Sequence, residues 1–362
     1  MDTLGIYIHV PFCAKKCPYC DFYSVSYNKK SVLEHTDAVI RNIKAYSRNL
    51  TVDTVYFGGG TPSLLPSECI ESIVNAVGEN FVLGKDTEIT LEVNPNTVNR
   101  QKLQELWSIG VNRLSVGVQS LISSELKLLG RTHSAERAIE TVMTAHETGF
   151  ENISCDMIIG LPKQTIESIE YTISRLSELP ITHISSYILK VEENTPFNTD
   201  DFINSLPDED VTSDMYLFMV QELEKNGFMQ YEVSNFAKSG FQSRHNNKYW
   251  NCFDYLGIGA SAHSCFEGKR FAVPSDIGEF IVSPIQKTVV TDENPCQFKE
   301  YAMLKLRLKE GILLSECENP SSISSKIPQL VKSGYVNFDG ERISLTANGF
   351  LMSNSVIEYL IF

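Results

Sequence analysis

Six short apolar runs recur through the first half of the chain, at residues 4–10, 54–57, 88–93, 113–118, 152–158 and 183–189. Runs of this length read as strands. Between them, residues 31–47, 66–78, 100–109, 134–148 and 165–179 have the length and mixed polarity of helices. Gly110 and Gly149 stand where left-handed caps would end two of these helices. Six strand–helix units in succession predict a parallel sheet with right-handed crossovers. Polar side chains cluster at the C-terminal ends of several successive strands, where barrels carry their sites. The expected fold is therefore α/β, an open partial (β/α)6 TIM-like barrel rather than a doubly wound sheet.

The pattern changes after the sixth run. Residues 192–210 are acidic and polar, with Pro196 and Pro207, and read as a connector; residues 213–226 read as a helix. Residues 231–266 are rich in aromatics, Asn and Gly, and are expected to be irregular. From residue 296 onward helices alternate with a hairpin, residues 334–338 and 342–345 around the turn Asp339-Gly340, followed by a helix over 346–359. Asp-Gly between apolar strands is a strong hairpin signal. A smaller C-terminal α+β domain of winged-helix-like form is expected. The predicted division is a barrel over 1–230, a connecting region over 231–295 and a C-terminal domain over 296–362.

Composition narrows the function classes. The chain has 362 residues, 42% apolar and 21% charged, which is ordinary for a globular protein. A formal charge of −14 argues against general affinity for nucleic acid, which needs a concentrated basic surface. No apolar run has the length of a membrane span. There is no basic n-region followed by an apolar h-region and cleavage site. Six of the nine cysteines are scattered, which suits a reducing compartment and a cytoplasmic protein.

The other three cysteines are not scattered. Cys13, Cys17 and Cys20 are spaced Cys-x3-Cys-x2-Cys directly after the first strand. Three close thiolates can hold three irons of a [4Fe–4S] cube and leave the fourth iron open, whereas ordinary electron-transfer clusters have four cysteine ligands. An open iron can bind a small molecule, as reductive cleavage of S-adenosylmethionine (SAM) requires. A three-thiolate zinc site, a disulfide with a spare thiol, and packing cysteines are the other readings of such a triplet.

Downstream, Gly58-Gly59-Gly60-Thr61-Pro62 follows the second strand, where glycines allow close backbone approach to a ligand. Glu92 ends the third strand, Gln119 the fourth and Asp156 the fifth, and Arg131 lies in Leu129-Gly130-Arg131-Thr132-His133. Carboxylates can accept from hydroxyls and ammonium, and Arg can clamp a carboxylate.

The combination resembles the radical SAM superfamily and, within it, the family that contains oxygen-independent coproporphyrinogen III dehydrogenase and a haem chaperone. The resemblance covers nearly the whole chain. It implies a [4Fe–4S] cluster on Cys13, Cys17 and Cys20. It also implies SAM bound by Tyr7, Tyr19, Gly59, Gly60, Thr61, Glu92, Gln119, Arg131 and Asp156. The dehydrogenase branch carries a further cysteine, as Cys-x3-Cys-x2-Cys-x-Cys; here Asp21 and Phe22 follow Cys20. The run His245-Asn246-Asn247-Lys248-Tyr249-Trp250 resembles the His-Asn-x-x-Tyr-Trp motif of the chaperone branch.

Both features imply a chaperone without catalytic residues that binds haem and passes it to recipient haemoproteins, respiratory enzymes at the membrane among them. The alternative is oxidative decarboxylation of coproporphyrinogen III. A cytoplasmic protein with peripheral membrane contact is implied, and a homodimer is compatible. His245 is the implied haem ligand, since a neutral imidazole is a suitable axial donor. Tyr249 and Trp250 offer flat surfaces to a macrocycle. His263 and Cys265 are the alternative ligands.

Overall fold

The computed structural model describes residues 3–362. Its framework is six parallel strands, neighbours in chain order: β1 (Leu4–Val10), β2 (Thr51–Gly59), β3 (Val82–Val93), β4 (Arg113–Gln119), β5 (Asn152–Ile159) and β6 (His183–Ile188). Helices α1 (Lys29–Ala45), α2 (Ser67–Asn80), α3 (Arg100–Ile109), α4 (Ala135–Thr148) and α5 (Ile166–Ser177) lie between them. Gly110 and Gly149, at φ +103° and +121°, follow α3 and α4. Asn99 and Ser134 accept backbone N–H bonds at the starts of the same helices.

The two faces of these strands differ in chemistry. Ile89, Leu91 and Val93 alternate with Glu88, Thr90 and Glu92 in β3; Leu114 and Val116 alternate with Arg113 and Ser115 in β4. The same holds for Val55 and Phe57 against Thr54 and Tyr56 in β2. The apolar set joins the helices in the main core. The polar set meets across the barrel interior: Tyr56 donates to Glu92, Ser115 to Asp156, and Ser154 pairs with His183. A side-chain period of two allows this segregation. Most of these buried polar groups bond one another, but among the described residues Thr90 Oγ1 and Arg113 Nε have no hydrogen-bond partner.

The sheet continues past residue 230. β7 (Met229–Gln230) and β8 (Asn235–Ala237) extend the β6 side antiparallel. On the other side β9 (Tyr255–Ile258) pairs parallel with β1, and β10 (His263–Phe266), β11 (Lys269–Ala272) and β12 (Val289–Asp292) follow antiparallel. The order β12-β11-β10-β9-β1-β2-β3-β4-β5-β6-β8-β7 has two separate edges, so the barrel is open.

Residues 231–266 are thus not irregular, as their composition suggests. They hold β8, β9, β10 and a helix, Arg244–Trp250. Elements of three to seven residues are too short to establish a period in sequence. The connector also ends early, because Asp208 caps helix α6 (Glu209–Lys225).

The C-terminal domain has the helix–strand–helix–hairpin order of a winged helix: Phe298–Lys305, Ile312–Leu313, Pro320–Lys332, then Val336–Phe338 and Arg342–Leu345. Asp339 accepts from the Glu341 and Arg342 amides in the hairpin turn. The helix expected over 346–359 is broken at Met352 into Ala347–Leu351 and Ser353–Ile361. Val233 N donates to Arg307 O at 3.0 Å and Lys309 N to Tyr231 O at 2.9 Å, tying this domain to the barrel. One hydrophobic core runs through both.

Candidate functional site

A cavity of about 380 Å³ opens at the C-terminal ends of the barrel strands. The cysteine loop forms one wall. Cys13, Cys17 and Cys20 are all free thiols, half-buried, and all line this cavity. The loop is held from several sides. Cys20 N donates to Cys17 O at 3.1 Å, Thr61 Oγ1 lies 3.6 Å from Cys13 Sγ, and Arg131 Nη1 lies 3.6 Å from Cys17 Sγ. Burial raises the Cys20 thiol, with the Phe22 amide pulling the other way. Tyr19 is also raised, first by burial.

The glycine run forms the second wall. Gly60 N donates to Val10 O at 2.8 Å, and Thr61 N to Phe12 O at 2.8 Å. A Cβ on Gly60 would lie 2.8 Å from Phe12 O and 2.9 Å from Val10 O, so only glycine lets β2 end this close to the cysteine loop. Gly59, at φ +110°, presses against the His9 ring.

Glu92 and Asp156 form the floor. Glu92 accepts from Tyr56 Oη at 2.9 Å and from Gly59 N at 3.2 Å. Burial, then the Asp156 carboxylate, push its pKa up to about 7. Asp156 accepts from Ser115 Oγ at 3.0 Å, and burial raises its carboxyl. Arg113, 1% exposed, lies near both carboxyls and lowers both. Arg131 donates from Nη2 to Gly117 O at 2.8 Å, while its buried Nε has no hydrogen-bond partner among the described residues. Gln119 sits at φ +69°, where the β4–β5 register shifts. A non-glycine residue held in that region is a strained position of the kind found at functional sites.

Every residue expected to hold the cluster or SAM lines this cavity except Tyr7, and the candidate haem ligands His245, His263 and Cys265 do not line it. Tyr7 lines a neighbouring cavity, and its hydroxyl lies 3.1 Å from His9 Nδ1. His245 lies at the opposite end of the barrel, on helix α7 (Arg244–Trp250). The amides of Arg244 and His245 donate to the Glu88 carboxylate at 3.3 and 3.2 Å. Glu88 is four residues before Glu92, about 13 Å along the strand.

The His245 ring is fully buried, with Nδ1 2.8 Å from Thr54 Oγ1 and Nε2 2.8 Å from Tyr249 Oη. Desolvation lowers its pKa to about 3. Both ring nitrogens are engaged in this conformation. Cys265 is buried too, 4.0 Å from Cys296 Sγ.

Sequence reasoning missed Tyr56, Arg113 and Ser115. The polar alternation within the strands, as in Thr54-Val55-Tyr56 and Glu88-Ile89-Thr90-Leu91-Glu92, was the available signal.

Comparison with known proteins identifies the family. Residues 7–176 match the radical SAM superfamily model. The chain is 33% identical to the haem chaperone HemW of Lactococcus lactis, covering 97% of this chain and 96% of that one. It is 33% identical to HemW of Escherichia coli, covering 99% and 98%. The chain belongs to the HemW family. HemW of Bacillus subtilis is 32% identical, with 97% of each chain covered. Among solved structures, coproporphyrinogen III oxidase (HemN) of E. coli superposes with a TM-score of 0.82, over 99% of this chain and 90% of that one. At 22% identity this likeness is one of fold. Membership of the radical SAM superfamily implies a [4Fe–4S] cluster and SAM.

Proposed function

We propose that this protein is a haem chaperone built on a radical SAM scaffold, passing haem to recipient haemoproteins, respiratory membrane enzymes among them. The observation that carries this reading is the 33% identity to curated haem chaperones over almost the full length of both chains. The residue pattern agrees, since Asp21 and Phe22 follow Cys20 where the dehydrogenase branch has another cysteine. Among the described residues no helix is long and apolar enough to cross a membrane, so delivery to a membrane enzyme would occur from the surface.

In this reading Cys13, Cys17 and Cys20 hold the cluster, and their donor chemistry fits it: three soft thiols face one cavity. A cluster held there would supply the electron for SAM chemistry when both are bound. The cavity also suits a zwitterionic ligand. Glu92 and Asp156 offer acceptors to ammonium and hydroxyls, and Arg131, beside Gln119 and Tyr19, has a buried Nε without a hydrogen-bond partner among the described residues. Gly59, Gly60 and Thr61 bring backbone groups within reach. A cationic ligand favours the ionised form of Glu92, so SAM affinity should rise as pH passes upward through about 7.

The reading is tested by titrating haem into anaerobically reconstituted full-length protein and, in parallel, supplying coproporphyrinogen III with SAM and reductant. Stoichiometric haem binding without porphyrinogen conversion is expected; robust conversion would overturn the chaperone reading. Cys17→Ala should lose its iron and sulfide, while Cys317→Ala, in the C-terminal core, should keep both. Zinc in place of iron after anaerobic reconstitution would remove the cluster assignment.

A further inference from the structure

The second cavity, about 430 Å³, is lined by Asp21, Phe22 and Tyr23, which directly follow the cysteine triplet in the chain. Phe22 lines both cavities and is 66% exposed. Tyr23, Tyr249 and Tyr255 supply further aromatic wall, and the Tyr249 and Tyr255 rings meet edge to face at 4.5 Å. Two imidazoles line it, His9 and His263. His9 is buried and committed: Nε2 lies 3.1 Å from Tyr23 O and Nδ1 3.1 Å from Tyr7 Oη. His263 is exposed at the start of β10, and among the described residues its ring makes no hydrogen bond.

The backbone that presents His263 is rigid. A Cβ on Gly257 would fall 2.2 Å from His263 O, so β10 packs directly on β9 there. Ala262 N donates to Gly259 O at 3.0 Å and Val273 N to Ala262 O at 2.8 Å, which pins the preceding turn. Ser261, in that turn and lining the same cavity, holds φ +71°, a strained conformation for a residue with a side chain. A free imidazole on a fixed strand, beside exposed aromatic surface, has what an iron porphyrin needs: one axial nitrogen and an apolar face to cover.

We infer that this cavity receives the haem, with His263 as an axial ligand to its iron. The inference rests on the haem-chaperone reading above and deepens it. A cavity open to solvent and one protein ligand suit a cargo that must leave again. The motif helix α7 takes part through Tyr249, whose hydroxyl is held by His245 and whose ring forms a wall of the cavity. His245 is thereby a positioning residue behind that wall.

The test is a haem titration of the full-length protein followed by absorbance. His263→Ala, at an exposed position, should leave the melting temperature unchanged. It should shift the Soret band and weaken haem binding about tenfold or more, and millimolar imidazole should restore the parent spectrum. His245→Gln, which can keep hydrogen bonds to Thr54 and Tyr249, should retain the parent Soret position. Parent-like haem spectra and affinity in His263→Ala, or loss of the parent spectrum in folded His245→Gln alone, would overturn the assignment of His263 while leaving haem binding itself intact. A parent protein that takes up no haem would overturn the chaperone reading and this inference with it.

Discussion

Glu92 keeps two hydrogen bonds, from Tyr56 and the Gly59 amide, yet its pKa is pushed up to about 7 because burial and Asp156 outweigh them. A carboxyl more easily protonated in the folded chain than in the unfolded one contributes stability that is fully present below its unfolded value. That contribution is lost as pH rises through the folded value. The window therefore runs from the ordinary carboxylate range, near 4.5, up to about 7. Glu92→Gln removes the titrating group and keeps one donor and one acceptor for the same partners. Ligand-free Glu92→Gln should be more stable than the parent at pH 8, by about 1–2 kcal/mol, with the difference gone near pH 4.5. Denaturant melts at the two pH values measure this, and equal parent and variant slopes would refute it. The same substitution should flatten the rise of SAM affinity with pH.

At the scale of elements, α7 closes the floor of the barrel. Its first amides rest on Glu88, and Lys248 pairs with Asp53 at 2.8 Å and reaches Thr3 O at 2.9 Å. Hydrogen bonds to a charged group are worth more than neutral ones, and removing the carboxylate leaves two amides unpaired. Glu88→Ala should cost about 2–4 kcal/mol, read as a fall in denaturation midpoint. Because α7 supports the Tyr249 wall, the same variant should also weaken haem uptake. A variant with unchanged midpoint would mean that α7 is held by its other contacts. The strand–helix units above this floor were readable because each is long enough to show its period. The motif helix was recognised by its residues and not by its shape, since seven residues make barely two turns.

Across the whole molecule, the sheet and the C-terminal domain share one core. The Val233–Arg307 and Tyr231–Lys309 backbone bonds and the Lys305–Asn251 bond at 2.8 Å cross between them. Removing residues 296–362 would expose the apolar surface they cover, and such surface drives association. The shortened chain is expected to aggregate or unfold well below the melting temperature of the full protein. A soluble fragment with parent-like melting would show that the barrel stands alone.

The sequence by itself determined the barrel strands, the thiol triplet and the polar residues at the strand mouths. Those signals are local: alternation along a strand, spacing within a loop, a glycine run at a turn. It could not show which polar residues face one another, because Tyr56 and Glu92, or Ser115 and Asp156, are brought together only by strand register. Nor could it tell a ligand histidine from a structural one. His245, His9 and His263 all lie near aromatic or glycine-rich segments in sequence. Only packing shows that two of them have both nitrogens bonded while the third, among the described residues, has neither, since a side chain's hydrogen-bond partners come from distant strands and helices.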